Sequence, residues 1–220
     1  GERELLTGAT GAMLNIGVSA RHRGWYDQTR AMVQAALPTL RAAQHRTGMV
    51  FCQLELGRLA LAAGAHDEAE RELLKVLEIL DGVAGHFLLP EGLATLAYAA
   101  LGKGECALAA EYLRLALQRM MENGHLNAAL QALPAMALLI VDKGGHSAPT
   151  VQQAVELYAL VSRSPYVANS RWFEDVAGKQ IEALAATLLP EEVAAARERG
   201  RTRDLESTMR ELLNELEDSS

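Results

Sequence analysis

The chain has 220 residues, half of them apolar but only 5% aromatic, with Leu and Ala supplying the bulk; that is material for a helical core, not for strands. Its formal charge of −7 is uneven, with seven Lys/Arg against four Asp/Glu in residues 1–60 and a strongly acidic remainder, which argues against direct nucleic-acid binding. Cys52 and Cys106 lack CxxC spacing and make no disulfide framework. No apolar run reaches the ~18 residues of a membrane span and no signal peptide is visible, so a soluble, cytoplasmic chain with no membrane partner is expected. The start at Gly1 without Met implies a fragment or a processed chain.

In chain order, the first signal is Ile16-Gly17 followed by Gly24, and steps of forty residues repeat it. Leu56-Gly57 is followed by Gly64, Leu96-Ala97 by Gly104 and Met136-Ala137 by Gly144; Val176-Ala177 keeps the small residue but is followed by Leu184. Apolar residues recur at helical spacing on both sides of each glycine, as in Phe51–Ala63 before Gly64 and Ala69, Leu73, Val76 and Leu80 after it. Each unit therefore predicts a helix–turn–helix hairpin whose small residues let the two helices approach closely. The units lie near 5–44, 45–84, 85–124, 125–164 and 165–189, and residues 190–217 predict capping helices with an apolar stripe at Leu205, Met209, Leu212, Leu213 and Leu216. Trp25 and Trp172 fall near unit junctions as packing anchors, and Pro134 bends a first helix.

The series Leu56-Gly57, Ala60, Gly64, Ala69, and again Leu96-Ala97, Ala100, Gly104, Ala109, resembles the tetratricopeptide repeat family. Unit one departs from it with Thr29 in place of Ala, unit four needs about five extra residues before Ala154, Tyr158 and Val161, and the period is 40 against about 34 for the standard repeat. The resemblance implies a single all-α domain, a right-handed α-solenoid of about five 40-residue hairpins plus C-terminal capping helices. The stretch Leu188-Leu189-Pro190-Glu191-Glu192, Ala194–Ala196, Gly200, Leu205 and Leu212 is also similar to the end of the repeat region in large LuxR-like and AfsR-like ATP-dependent bacterial regulators. That likeness implies the sensor or scaffold part of a transcriptional regulator, without its ATPase and DNA-binding parts.

Catalytic signatures are missing: there is no HExxH, GxSxG or Gly-Lys-Ser/Thr phosphate loop, and no cofactor or metal site is expected. His22, His66 and His146 read as polar turn residues, and Arg197, Arg199, Arg201 and Arg203 as a solvated helix junction broken by Glu198, Asp204 and Glu206. Binding remains. Registering each unit on its small residue places Asn15, Glu55, Arg58, Glu91, Thr95, Tyr98, Gln131 and Asp142 near the concave face that the resemblance implies. Arg58 and Tyr98 stand out, because Arg and Tyr are enriched in binding hot spots. The leading reading is a non-catalytic scaffold for a peptide, a protein or a neighbouring domain of the parent regulator. The alternative is a small-molecule sensor with a pocket between repeats, and a third is self-association into a homodimer through an exposed apolar helix face.

Overall fold

The computed structural model describes residues 2–83, 85–124 and 126–218, with only the backbone for residues 2–7, 9 and 10. The protein is 84% helical and has no strand among the described residues, so the all-α prediction holds. Eight helices come first: α1 (Glu2–His22), α2 (Tyr26–Ala42), α3 (Arg46–Ala62), α4 (His66–Leu80), α5 (Leu89–Gly102), α6 (Cys106–Asn123), α7 (Ala129–Gly144) and α8 (Ala148–Val161). Each packs against the next along the chain.

The helices divide into two kinds, and the sequence says why. The even ones bury one stripe, at Thr29, Val33, Ala36, Leu40 in α2, Ala69, Leu73, Val76, Leu80 in α4 and Ala109, Leu113, Ala116, Met120 in α6. The i, i+4, i+7, i+11 spacing makes a single apolar face, and the three stripes sit forty residues apart. Thr29 keeps its place in that series because its hydroxyl, buried among apolar groups, donates to the Gly17 carbonyl at 2.9 Å. The odd helices α3, α5 and α7 are buried nearly all round, and α1–α3, α3–α5 and α5–α7 touch one another as an inner row. Such helices need small residues at contacts: a Cβ on Gly57 would lie 2.5 Å from Leu73 Cγ of the neighbouring α4. In the fourth pair the buried stripe of α8 runs through Ala154, Leu157 and Val161, while Tyr158 lies only partly buried beside it.

Left-handed residues punctuate the connections: Gly24, Gln44, Gly64, Gly82, Gly85, Gly104, Gly124 and Gly145. Gly144, predicted as the fourth turn glycine, instead ends α7, and the positive φ passes to Gly145. Gln44, at φ 53°, is the one non-glycine in this set. A left-handed non-glycine residue costs roughly 1–2 kcal/mol, part of which glycine gives back as chain entropy. Gln44→Gly is therefore expected to stabilise the protein by about 0.5–1 kcal/mol, read as a rise of a few degrees in Tm; a fall would mean that the Gln44 side chain holds this turn.

After α8 the chain changes direction. The short α9 (Pro165–Ala168) leads into a continuous helical stretch made of α10 (Arg171–Phe173), a π-helical turn (Glu174–Gly178) and α11 (Lys179–Ala185). This stretch lies on the inner row, with α10 against α1 and the π turn against α3 and α7. Trp172 and Phe173 are wholly buried there, Trp172 as the packing anchor predicted for it, whereas Trp25 stays half exposed under Arg23. Helix α12 (Pro190–Thr202) packs on α8, and α13 (Leu205–Asp218) on α6 and α7. A Cβ on Gly200 would sit 2.1 Å from the Glu156 carbonyl oxygen, so α12 crosses α8 at backbone contact. The Arg197–Arg203 patch is spent internally: Arg197 pairs with Glu182, Arg199 and Arg203 with Glu156, and Arg201 with Glu198.

The run Leu126–Gly144 does pass a length-and-composition test for a membrane-crossing helix, contrary to the reading of the sequence. Pro134 and Gln131 interrupt its apolar letters without lowering the average enough. Two thirds of its most apolar window is buried inside the protein, as befits the core helix α7.

Candidate functional site

The inner row carries a cavity of about 790 Å³. Asn15 and Val18 of α1, Phe51 and Arg58 of α3, Glu91 of α5, and Leu130 and Gln131 of α7 form its walls. Phe87 and Leu88 before α5, residues 126–128 before α7, and Ser164 and Tyr166 at the start of α9 close the rim. Four residues singled out from the sequence, Asn15, Arg58, Glu91 and Gln131, thus meet in one place.

The other four do not line this cavity. Glu55 is 1% exposed and lies between two guanidiniums, Arg21 Nε at 2.8 Å and Arg58 NH1 at 2.7 Å. Thr95 is fully buried and its hydroxyl donates to the Glu91 carbonyl at 2.7 Å. Tyr98 is buried too; its hydroxyl donates to the Gln131 carbonyl at 3.0 Å and its ring meets Trp172 edge-on. Groups committed in this way hold the wall of the main cavity from behind. Asp142 is exposed at the end of α7, where it lines a second cavity of about 620 Å³ with Tyr98, His66 and Asp175.

Behind the main cavity runs a chain of alternating charges, Arg21–Glu55–Arg58–Glu91, drawn from α1, α3 and α5. Burial pushes the Glu55 carboxyl up, but the two guanidiniums and their hydrogen bonds outweigh it and hold it below its ordinary value. Burial likewise opposes the Arg58 charge, and Glu91 and Glu55 more than restore it. Trp172 seals the chain: its indole N–H donates to the Arg58 carbonyl at 2.8 Å, and the Arg21 guanidinium carbon lies 5.1 Å from its ring centroid.

Beside Arg21, His22 Nδ1 is 2.6 Å from Ser170 Oγ, the spacing of a nucleophile and its base. The other ring nitrogen faces the Arg21 guanidinium at 3.2 Å, so Nε2 accepts and Nδ1–H donates to the serine. Burial first, and then the Arg21 charge, bring the His22 pKa down to about 3. An imidazole that resists protonation, with a cation where a triad has its carboxylate, cannot take the serine proton at neutral pH. The pair is a structural hydrogen bond that ties α1 to the segment before α10.

This fixes a pH response. In the unfolded chain His22 takes up a proton near 6.5 and in the folded protein only near 3, so its stabilising contribution is complete above pH 6.5 and declines as pH falls below it. Halved for solvent screening at a partly exposed ring, the loss between pH 6.5 and 5 is about 1 kcal/mol, a few degrees in Tm. His22→Asn is expected to flatten the Tm profile in that window; an unchanged slope would assign the proton elsewhere.

The sequence missed Phe51, Phe87, Ser164 and Tyr166. Phe51 lies in the first turns of α3, and Ser164-Pro165-Tyr166 lies outside the forty-residue register, so no repeat position pointed to them. Among the described residues no group of three or more His, Cys, Asp and Glu is placed to hold a metal ion. No family model matches the chain, and comparison with curated proteins and with solved structures finds no match to it.

Proposed function

We propose that this chain is a tetratricopeptide-like α-solenoid acting as a non-catalytic sensor module, with the inner cavity as the seat of a small-molecule effector. The single observation that carries this reading is the cavity itself. Its volume of about 790 Å³ falls in the ~300–1,000 Å³ range of small-molecule sites, and its wall sets apolar side chains such as Phe51, Leu126 and Leu130 beside placed polar groups such as Arg58, Glu91 and Gln131. A long open groove for an extended peptide is disfavoured by the α10–α11 stretch, which fills the inner row with Trp172 and Phe173. The forty-residue hairpin pattern supports the solenoid class, and the likeness of residues 188–212 to LuxR-like and AfsR-like regulators supports a bacterial signalling context.

The test is a thermal-shift screen of metabolites against the wild type and Leu130→Trp, which puts a large ring into the cavity. The expected result is at least one compound that raises Tm and loses its effect in a Leu130→Trp protein that still folds. Compounds that act equally on both would place the site elsewhere. The scaffold reading keeps one observation in its favour: Phe87 and Ile16 leave half their surface exposed on either side of Asn15, which lines both the main cavity and a neighbouring hollow. A gain in mass on mixing with a partner domain, with no small-molecule response, would favour it.

A further inference from the structure

The wall of the main cavity contains a polar group that the protein leaves unused. Gln131 is 1% exposed, and its Oε1 atom has no hydrogen-bond partner. Its backbone carbonyl is held by Tyr98, so the side chain projects from a fixed base on α7. A buried carboxamide oxygen without a partner is disfavoured, and native interiors rarely retain one without cause. A guest in the cavity that Gln131 lines can supply that partner.

The chemistry of that partner follows from the wall. A carboxamide offers one acceptor and one donor side by side, which a second amide or a lactam matches with two parallel hydrogen bonds. The ionised side chains in the wall are Arg58 and Glu91, and they are paired with each other. Behind them Glu55 and Arg21 complete a neutral set. A charged guest would add a charge with no counterion of its own in a half-enclosed site. Phe51, Leu126 and Leu130 offer apolar surface for the rest of the molecule.

Resting on the effector-pocket reading above, we propose that the cavity takes an uncharged, amide-bearing small molecule, its carboxamide or lactam edge paired with Gln131 and its apolar part against Phe51, Leu126 and Leu130. Gln131 is then the residue that sets specificity, while the apolar wall supplies the general affinity.

Three probes of one size and different charge test this: hexanamide, hexanoate and hexylamine, titrated to millimolar concentration by ligand-observed NMR and thermal shift. The expected result is hexanamide binding at least tenfold more tightly than either charged probe. That preference should vanish in Gln131→Leu, with Gln131→Met as the second variant and circular dichroism showing that each folds. Equal binding of all three, tighter binding of a charged probe, or a preference that survives in the folded variants would overturn the inference and leave the pocket standing. No binding by any of the three would also overturn it. Whether the pocket reading falls with it is decided by the metabolite screen against Leu130→Trp, which does not depend on amide chemistry.

Discussion

Glu55→Gln is expected to destabilise the protein by about 3–5 kcal/mol, a fall in Tm on the order of 10 °C for a chain of this length. The carboxylate is the hinge of the buried charge chain, facing Arg21 on one side and Arg58 on the other, with all three side chains at 2% exposure or less. Removing its charge leaves Arg21 buried without an anion and Arg58 with Glu91 alone. The network is already incompletely satisfied, since Arg21 NH1 and Arg58 Nε lack hydrogen-bond partners, so little slack remains to absorb the loss. Replacing Arg21, Glu55, Arg58 and Glu91 together by Met, Leu, Met and Gln removes the charges as a set and is expected to cost far less than Glu55→Gln alone. A loss below 1 kcal/mol for Glu55→Gln would mean that water reaches these groups.

The same network predicts acid behaviour with a definite sign. Glu55 is held below its ordinary value of 4.5 in the folded protein, so its contribution is present above about pH 4.5 and lost as pH falls through the lower folded value. That window overlaps the lower part of the His22 window, which runs from pH 6.5 towards 3, so the variants and not the pH alone separate the two. Glu55→Gln should remove the low-pH component and leave the decline below pH 6.5 in place.

How much of this was legible beforehand depends on the range of the interaction. The hairpins were legible because Ala69, Leu73, Val76 and Leu80 form a stripe within one helix and recur forty residues later. Thr29 looked like a break in the series only because letters do not show the Gly17 carbonyl that accepts its hydroxyl. The inner helices were harder. Helix α3 contains two charges, Glu55 and Arg58, beyond its first turn, in a run otherwise nearly devoid of polar residues. A lone opposite pair at i, i+3 in such a helix is a signal for burial as much as for a surface that meets guests. What it lacked was Arg21, thirty-four residues away. Register alone brings Gln131 and Arg58 to one side of the inner row, where they line the same cavity, because the face of a helix follows from its period. The closing of that face by residues 165–185 was not legible, since it depends on where the chain turns after α8.

Trp172→Ala tests that closure. Trp172 is the largest fully buried side chain in the protein, and truncating a buried aromatic to Ala costs about 3–5 kcal/mol. It also fills space between elements distant in sequence, with Tyr98 at 5.9 Å and Phe173 at 4.9 Å between ring centroids. The loss should be concentrated where the ring acts: residues 165–188 are expected to become the first site of cleavage in limited proteolysis, ahead of the connections between α1 and α8. Trp172→Phe keeps most of the apolar bulk while losing the N–H that reaches the Arg58 carbonyl and part of the ring, so it should cost clearly less than Trp172→Ala, about 1–3 kcal/mol, and leave the cleavage pattern unchanged. If Trp172→Ala melts uniformly with no early cleavage in this stretch, the stretch is an integral part of the core and folds with it. If it opens first, the cavity has a wall that can be loosened separately from the helix stack, which is the element a bound effector would need in order to report its presence.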